Sequence, residues 1–450
     1  MKFKNENELL EFTSTIRGKT FKEIDSKHLF EENSLKRRKG LLGQIVETGF
    51  YGYALNNDSR ADFEDLDIEL KVTGYVKNKN GSLRAKERLV LSKIDFNGIV
   101  TETFESSHVL GKCGKMLIIW YEYEPHKKAE DFVITNYQLY NMEKDKQIFK
   151  NDFEIIKKKV LDGKAHELSE GDTSYLGACT KARTSKDRTS QPFSEIMVKP
   201  RAYSLKNAYM TGILRESANQ SKLTTFKSVK PNEFKIVTEY VKSKLEPYFG
   251  KTQVKILEEI TGKKYDEKIP KNISKMISDE LIGKDEELAQ KNELFSKTSF
   301  VIKNLPIQEN GKPRERMSFK TISLSDFEEK WEDSYWKNYF EETTLITICY
   351  KEKNRSKNGY RVLSDVKQIT FDEDDLDSFG NTYNQIKLAI ENEDKSLLPT
   401  SANGFKNQLL EIAPKGVKGD DAYVNFFKRD KTKVAFMISK KLLIEKLKKK

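Results

Sequence analysis

Ala61-Asp-Phe-Glu-Asp-Leu-Asp-Ile-Glu-Leu-Lys-Val72 is the stretch on which the reading of this chain turns. From Asp67 to Val72 polar and apolar residues alternate, which is the period of a half-buried strand. Ile68, Leu70 and Val72 are expected to face a core, leaving Asp67, Glu69 and Lys71 together on the other face. Glu69 and Lys71 then stand roughly 7 Å apart along one side of the strand. Asp62, on the approach, folds back in this reading to supply a second oxygen ligand. Two carboxylates and an ammonium in that order suit a divalent cation beside a scissile phosphate. Hard cations such as Mg²⁺ take oxygen ligands and share them with substrate phosphate. In a chain with 34% charged residues a Glu-x-Lys triplet also arises by chance, so the rest of the sequence has to carry the argument.

The 450 residues are enough for two ordinary domains, each with its own core. A net charge of +11 favours an acidic partner, most simply nucleic acid, through counterion release; a generally lysine-rich proteome gives the same balance. Cys113, Cys179 and Cys349 lie far apart, without metal-ligand spacing or a disulfide framework, which fits a reducing cytosol. The only histidines are His28, His108, His126 and His166, which argues against a histidine-rich metal site. The N-terminus carries acids where a signal peptide needs an apolar run, and no apolar stretch approaches a membrane span. A cytoplasmic protein without a membrane partner is expected.

Around the central stretch the pattern is mixed. Asn5 to Arg17 and Lys39 to Glu47 read as helices, the second with Leu42, Ile45 and Val46 on one side. Arg88 to Ile94, Lys115 to Tyr123 and Phe132 to Tyr140 read as strands, the middle one an almost continuous apolar run. Asp152 to Leu161 and Ser204 to Arg215 read as helices. The fold class is therefore α/β, a mixed central sheet flanked by helices. Lys446, Lys448, Lys449 and Lys450 read as a basic tail, for solubility first and phosphate contact second.

The second half repeats the first at low identity. Ile68-Glu-Leu-Lys71, Asn80-Gly81 and Arg84-Ala-Lys-Glu-Arg88 are answered by Val301-Ile-Lys303, Asn310-Gly311 and Arg314-Glu-Arg316. An apolar strand follows in both, and Ser174 to Lys181 parallels Asn407 to Lys415. At the decisive positions Val301 stands for Glu69 and Leu294 for Asp62, so the second copy is expected to have lost its cation site. A polar stretch ending near Pro231 gives the boundaries: a first domain over 1–218, a linker over 219–232 and a degenerate, DNA-binding or regulatory copy over 233–450.

Four segments in order carry a resemblance. They are Lys39-Gly-Leu-Leu-Gly-Gln-Ile-Val-Glu47, Asp62 to Lys71, Glu105-Ser-Ser-His-Val-Leu-Gly-Lys112, and Gly163 to Lys181 together with Arg201 to Thr211. The first half resembles the MutH-like nucleases, most closely the type II restriction endonucleases that cut at GATC. The resemblance implies that Asp62 and Glu69 bind Mg²⁺ with Glu47 completing the site, and that Lys71 and Lys112 act beside the attacked phosphate. It also implies that Lys39, Thr180 and Lys181 contact DNA; Tyr203 is assigned to the same surface, although aromatic residues are most often core. The nicking branch carries an arginine where this chain has Cys179. The expected function is Mg²⁺-dependent hydrolysis of double-stranded DNA at GATC, with chains self-associating on the DNA and the second domain acting as an effector. The alternatives are a strand-nicking repair endonuclease and a non-catalytic DNA-binding protein.

Overall fold

A computed structural model describes residues 2–32, 40–53, 60–78, 81–124, 126–181, 187–218, 237–265, 269–284, 295, 297–353, 356–405, 408–416, 419–428 and 433–448. Lys39, Asn80, Leu294 and the linker 219–232 lie outside these residues. The chain divides into two compact units. The first is Met1–Leu168, Thr173–Ser228 and Ser296–Thr298; the second is Ser169–Asp172, Val229–Phe295 and Ser299–Lys450.

In the first unit five strands precede the long helix Lys146–Leu161: β1 (Glu69–Lys77), β2 (Leu83–Ala85), β3 (Leu89–Lys93), β4 (Lys115–Glu122) and β5 (Ile134–Asn141). The main sheet has the order β2-β1-β4-β5. β1 and β4 run parallel, with Glu69 opposite Met116 and Lys71 opposite Ile118. The apolar run in β4 has a direct cause, since both of its faces are covered. Met116, Ile118 and Trp120 enter one core with Phe149, Phe153 and Ile156 of the long helix. Leu117, Ile119 and Tyr121 enter another with Leu9, Leu41, Ile45 and Val46 from the N-terminal helices. Burying one such side chain fully is worth roughly 1.5–3 kcal/mol, so this strand anchors the unit.

A smaller sheet, β3-β9-β6, uses β6 (Leu176–Thr180) and β9 (Arg201–Leu205), with the hairpin β7 (Thr189–Gln191) and β8 (Ser194–Val198) between them. Here the structure corrects the sequence reading. Residues 204 and 205 end β9, and the helix Asn207–Ser217 begins only afterwards. All five β9 positions are buried, so no alternation betrays the strand. Asp67 is also displaced: it sits at φ 53° in the turn after Glu64–Leu66, and the strand proper starts at Glu69.

The second unit has β10 (Phe300–Ile307), β11 (Met317–Thr321), β12 (Thr344–Lys351), β13 (Val362–Ile369), β14 (Leu410–Pro414) and β15 (Val434–Ile438). Its sheets have the orders β10-β12-β13 and β11-β15-β14. β10 and β12 are parallel and β12 and β13 antiparallel, as are β1, β4 and β5 in the first unit. Val301 lies opposite Leu345 and Lys303 opposite Thr347. The basic tail is corrected here: Lys446 lies on the helix Lys440–Lys448, nearly buried, with its ammonium 2.8 Å from the Asp372 carboxylate and also paired with Asp375. Lys449 and Lys450 lie outside the described residues. Among the described residues no helix is long and apolar enough to cross a membrane.

Candidate active site

Phe63 pairs with Ile68 across the turn that precedes β1, its amide donating to the Ile68 carbonyl at 2.9 Å. This tight return brings Asp62 back beside the strand, where its Oδ2 accepts the Leu70 amide at 2.8 Å. The backbone thus fixes the Asp62 carboxylate next to Glu69. The period of β1 places Glu69 and Lys71 on one face, and Lys71 Nζ donates to Glu69 Oε1 at 2.7 Å. On the same side the helix His108–Cys113 delivers Lys112, whose Nζ lies 3.9 Å from the same Glu69 oxygen. Asp62, Glu69, Lys71 and Lys112 are therefore brought together.

Glu69 is only 4% exposed, and its Oε2 is buried without a hydrogen-bond partner among the described residues. Such an atom incurs a desolvation cost that no described residue returns by a hydrogen bond. Burial raises the Glu69 carboxyl above its ordinary value; Lys71 and Lys112 oppose that, while Asp62 adds to it. Burial also works against the Lys71 ammonium, yet Cys113, Glu69 and Asp62 outweigh it and hold the amine above its ordinary value. Lys71 is a cation held in place.

Glu47 arrives from a different element. The helix Leu41–Gln44 widens into a π turn over Ile45–Phe50, a form of bulge often met at functional sites. Burial first, then the charges of Asp62 and Glu69, push the Glu47 carboxyl up to about 7. Three carboxylates thus share one electrostatic neighbourhood. Among the described residues, no group of three or more His, Cys, Asp or Glu is gathered closely enough to enclose a metal by itself. The donor set is an open one. Asp62 and the idle oxygen of Glu69, with Glu47 near, fit a hard cation that keeps positions for water or phosphate.

The remaining assignments divide. Thr180 ends β6 half-buried, and Lys181 follows it exposed, its amide donating to the Pro200 carbonyl at 2.7 Å. Tyr203 is corrected: it is 3% exposed, its ring stacked on Phe153 with centroids 6.2 Å apart, and burial drives its phenol upward. It belongs to the core and is not available to DNA. Cys113 was missed; it is buried beside Lys71 and Lys112, and burial pushes its thiol up to about 12. Its only signal in the sequence was adjacency to Lys112.

A carboxylate pair at the start of a sheet strand, a lysine two residues on and a second lysine from a neighbouring helix suit metal-assisted hydrolysis of a phosphodiester, and sequence comparison puts the chain in the class of MutH-like nucleases. A family profile described as "DNA mismatch repair enzyme MutH" matches residues 51–152. Over 375 residues the chain is 33% identical to the type II restriction enzyme Sau3AI of Staphylococcus aureus, covering 79% of this chain and 75% of that one. It is 28% identical over 217 residues to the DNA mismatch repair protein MutH of Vibrio parahaemolyticus, covering 47% of this chain and 93% of that protein. The MutH of Vibrio campbellii matches over the same length at the same identity. The chain belongs to the MutH-like nuclease family, on its restriction-enzyme branch, and is a type II site-specific deoxyribonuclease.

Proposed function

We propose that this enzyme is a Mg²⁺-dependent restriction endonuclease that hydrolyses both strands of double-stranded DNA at GATC, working in the cytoplasm. The single observation that carries the reading is the Glu69 carboxylate, buried, with one oxygen on Lys71 and the other left idle. Asp62 and Glu69 would hold the cation, with Glu47 adding a third carboxylate. A bound Mg²⁺ supplies Lewis acidity at the phosphoryl group and eases ionisation of water. Lys71 stands where it offsets charge developing on the attacked phosphate, and Lys112 reinforces it from the helix end. Glu47, titrating near neutrality, is suited to hold or release a proton at its carboxyl oxygens.

The second unit reads as a diverged copy without chemistry of its own. Support comes from strand register: Val301 lies opposite Leu345 at the second place of β12, as Glu69 lies opposite Met116 at the second place of β4. With one competent site per chain, a palindrome is cut on both strands by two chains assembling on it. The second unit is then free to bind DNA elsewhere and to regulate the first. Digestion of supercoiled plasmid, with and without EDTA and adenine methylation, followed by sequencing of the ends, tests this. Linear product cut at GATC only when Mg²⁺ is present supports the reading. Accumulating open circle favours a nicking enzyme instead, and cleavage unaffected by EDTA contradicts it.

A further inference from the structure

Glu47 and Asp62 reach the candidate site on different elements, and one aromatic residue joins those elements. Glu47 rides the π turn Ile45–Phe50, which closes by reversing the chain. Gly52 takes φ 71°, the left-handed backbone that favours glycine, and the Tyr53 amide comes back to donate to the Glu47 carbonyl at 3.0 Å. This is the π counterpart of the glycine cap that ends many α-helices, widened by one residue. Tyr53 is thus tied through its backbone to the residue that carries one carboxylate.

Its ring is turned towards the other. Phe63, buried, directly follows Asp62 in the chain. Tyr53 forms a T-shaped pair with Phe63, centroids 5.7 Å apart at 68°, and Tyr51 forms a second at 5.1 Å and 78°. The two tyrosine rings stack 6.4 Å apart, and the Tyr51 hydroxyl lies 2.7 Å from Thr13 Oγ1 of the helix Glu6–Ser14. Tyr51 is fully buried and belongs to the core, whereas Tyr53 is half-buried. Burial, then the charges of Asp65 and Asp62, hold the Tyr53 phenol above its ordinary value, so the side chain borders the carboxylates. Aromatic pairs of this kind are directional, and they fix an angle as well as filling space. We infer that Tyr53 is a positioning residue of the cation site: its amide holds the Glu47 turn, its ring holds the Asp62 turn through Phe63, and together they set the separation of the two carboxylates. The inference rests on the proposed reading of Asp62, Glu69 and Glu47 as cation ligands. Hard cations such as Mg²⁺ demand oxygens at closely defined distances, so a loosened Glu47 turn costs affinity.

The test measures Mn²⁺ binding by the full chain without DNA, from the electron paramagnetic resonance of the free ion, so that no cleavage is required. Mn²⁺ stands in for Mg²⁺ because it takes the same oxygen ligands. Tyr53→Ala is expected to weaken Mn²⁺ binding by about tenfold or more, and to raise by a similar factor the Mg²⁺ needed for half-maximal single-turnover cutting. Tyr53→Phe keeps the ring and is expected to bind Mn²⁺ like the parent. Phe12→Leu controls for general softening: Phe12 lies in the same aromatic cluster, its ring 5.8 Å from that of Tyr51, but on the helix Glu6–Ser14. It should lower the melting temperature and leave Mn²⁺ binding unchanged. Should Tyr53→Ala not fold, Tyr53→Leu takes its place. Parent-like Mn²⁺ binding by Tyr53→Ala overturns the inference, as does an equal loss in Phe12→Leu or in Tyr53→Phe. Glu69→Gln separates the two readings: a parent that binds Mn²⁺ no better than Glu69→Gln contradicts the proposed catalytic site itself, whereas a parent-like Tyr53→Ala contradicts the role of Tyr53 alone.

Discussion

A buried carboxylate with one oxygen on an ammonium and the other idle is stable only while its charge is compensated. Asp62 still compensates Lys71 when the charge at Glu69 is removed, so that change should spare the fold and stop the chemistry. Glu69→Gln is expected to slow DNA cleavage by about 10²-fold or more, with the Kd for DNA close to that of the parent. Lys71→Met should act on both counts, because it leaves Glu69 uncompensated; chemical denaturation is expected to register a loss of about 3 kcal/mol beside the lost activity. Glu47 gives a pH signature. Its carboxyl in the folded protein is raised to about 7, so the folded state holds a proton that the unfolded chain has released. The stability it contributes is full below the ordinary carboxylate range and is lost as pH rises through about 7. In EDTA, the parent should lose more melting temperature between pH 5 and 8, values chosen to bracket about 7, than Glu47→Gln does. Cation affinity should move oppositely, rising with pH as the proton leaves. At this scale the sequence was generous where chemistry is local, since Asp62, Glu69 and Lys71 lie within ten residues of one another. It misled where burial depends on distant partners: Tyr203 turned inward onto Phe153, and Lys446 sits between two aspartates rather than in a solvated tail.

Elements deliver these residues through a few buried polar ties. Asp152, fully buried on the long helix, accepts the amides of Ser174 at 2.7 Å, Tyr175 at 2.7 Å and Leu176 at 2.9 Å, which lead into β6. Burial pushes its carboxyl up to about 6 against the opposing pull of Lys206 and those amides. Asp152→Ala would remove the carboxylate that accepts three buried amides. It is expected to cost about 3 kcal/mol or more in chemical denaturation, and to weaken DNA binding more than Glu69→Gln does, because β6 carries Thr180 and leads to Lys181. The helix expected from residue 204 failed for a related reason. β9 is buried at all five positions, and a strand covered on both faces has no period to read. β4 was legible as a strand because its apolar run was long and lay between clear breaks. The π turn carrying Glu47 was not legible, because hydrophobic spacing distinguishes a helix from a strand but not one helical register from another.

Across the whole molecule, the order of short motifs suggests a repeat, and both units carry a parallel strand pair followed by an antiparallel one. The hairpin β7-β8 has no signal comparable to Asn-Gly, since its turn places Phe193 at φ 63° without a glycine. The proposal of one competent carboxylate pair per chain makes a kinetic demand on any assembly at a palindrome. If two chains cut a palindrome together, the rate of linear product from a one-site plasmid should rise more steeply than in proportion to enzyme concentration. A strictly proportional rate would point to one chain cutting both strands in turn. The most direct test of the central claim is a single-turnover cleavage assay of a GATC duplex over a Mg²⁺ titration, comparing parent enzyme with Asp62→Asn and Glu69→Gln and monitoring DNA binding in the same samples. Saturable, Mg²⁺-dependent cutting by the parent is expected, with near-complete loss in both variants while binding persists. Normal cutting by either variant, or cutting without the cation, would contradict it.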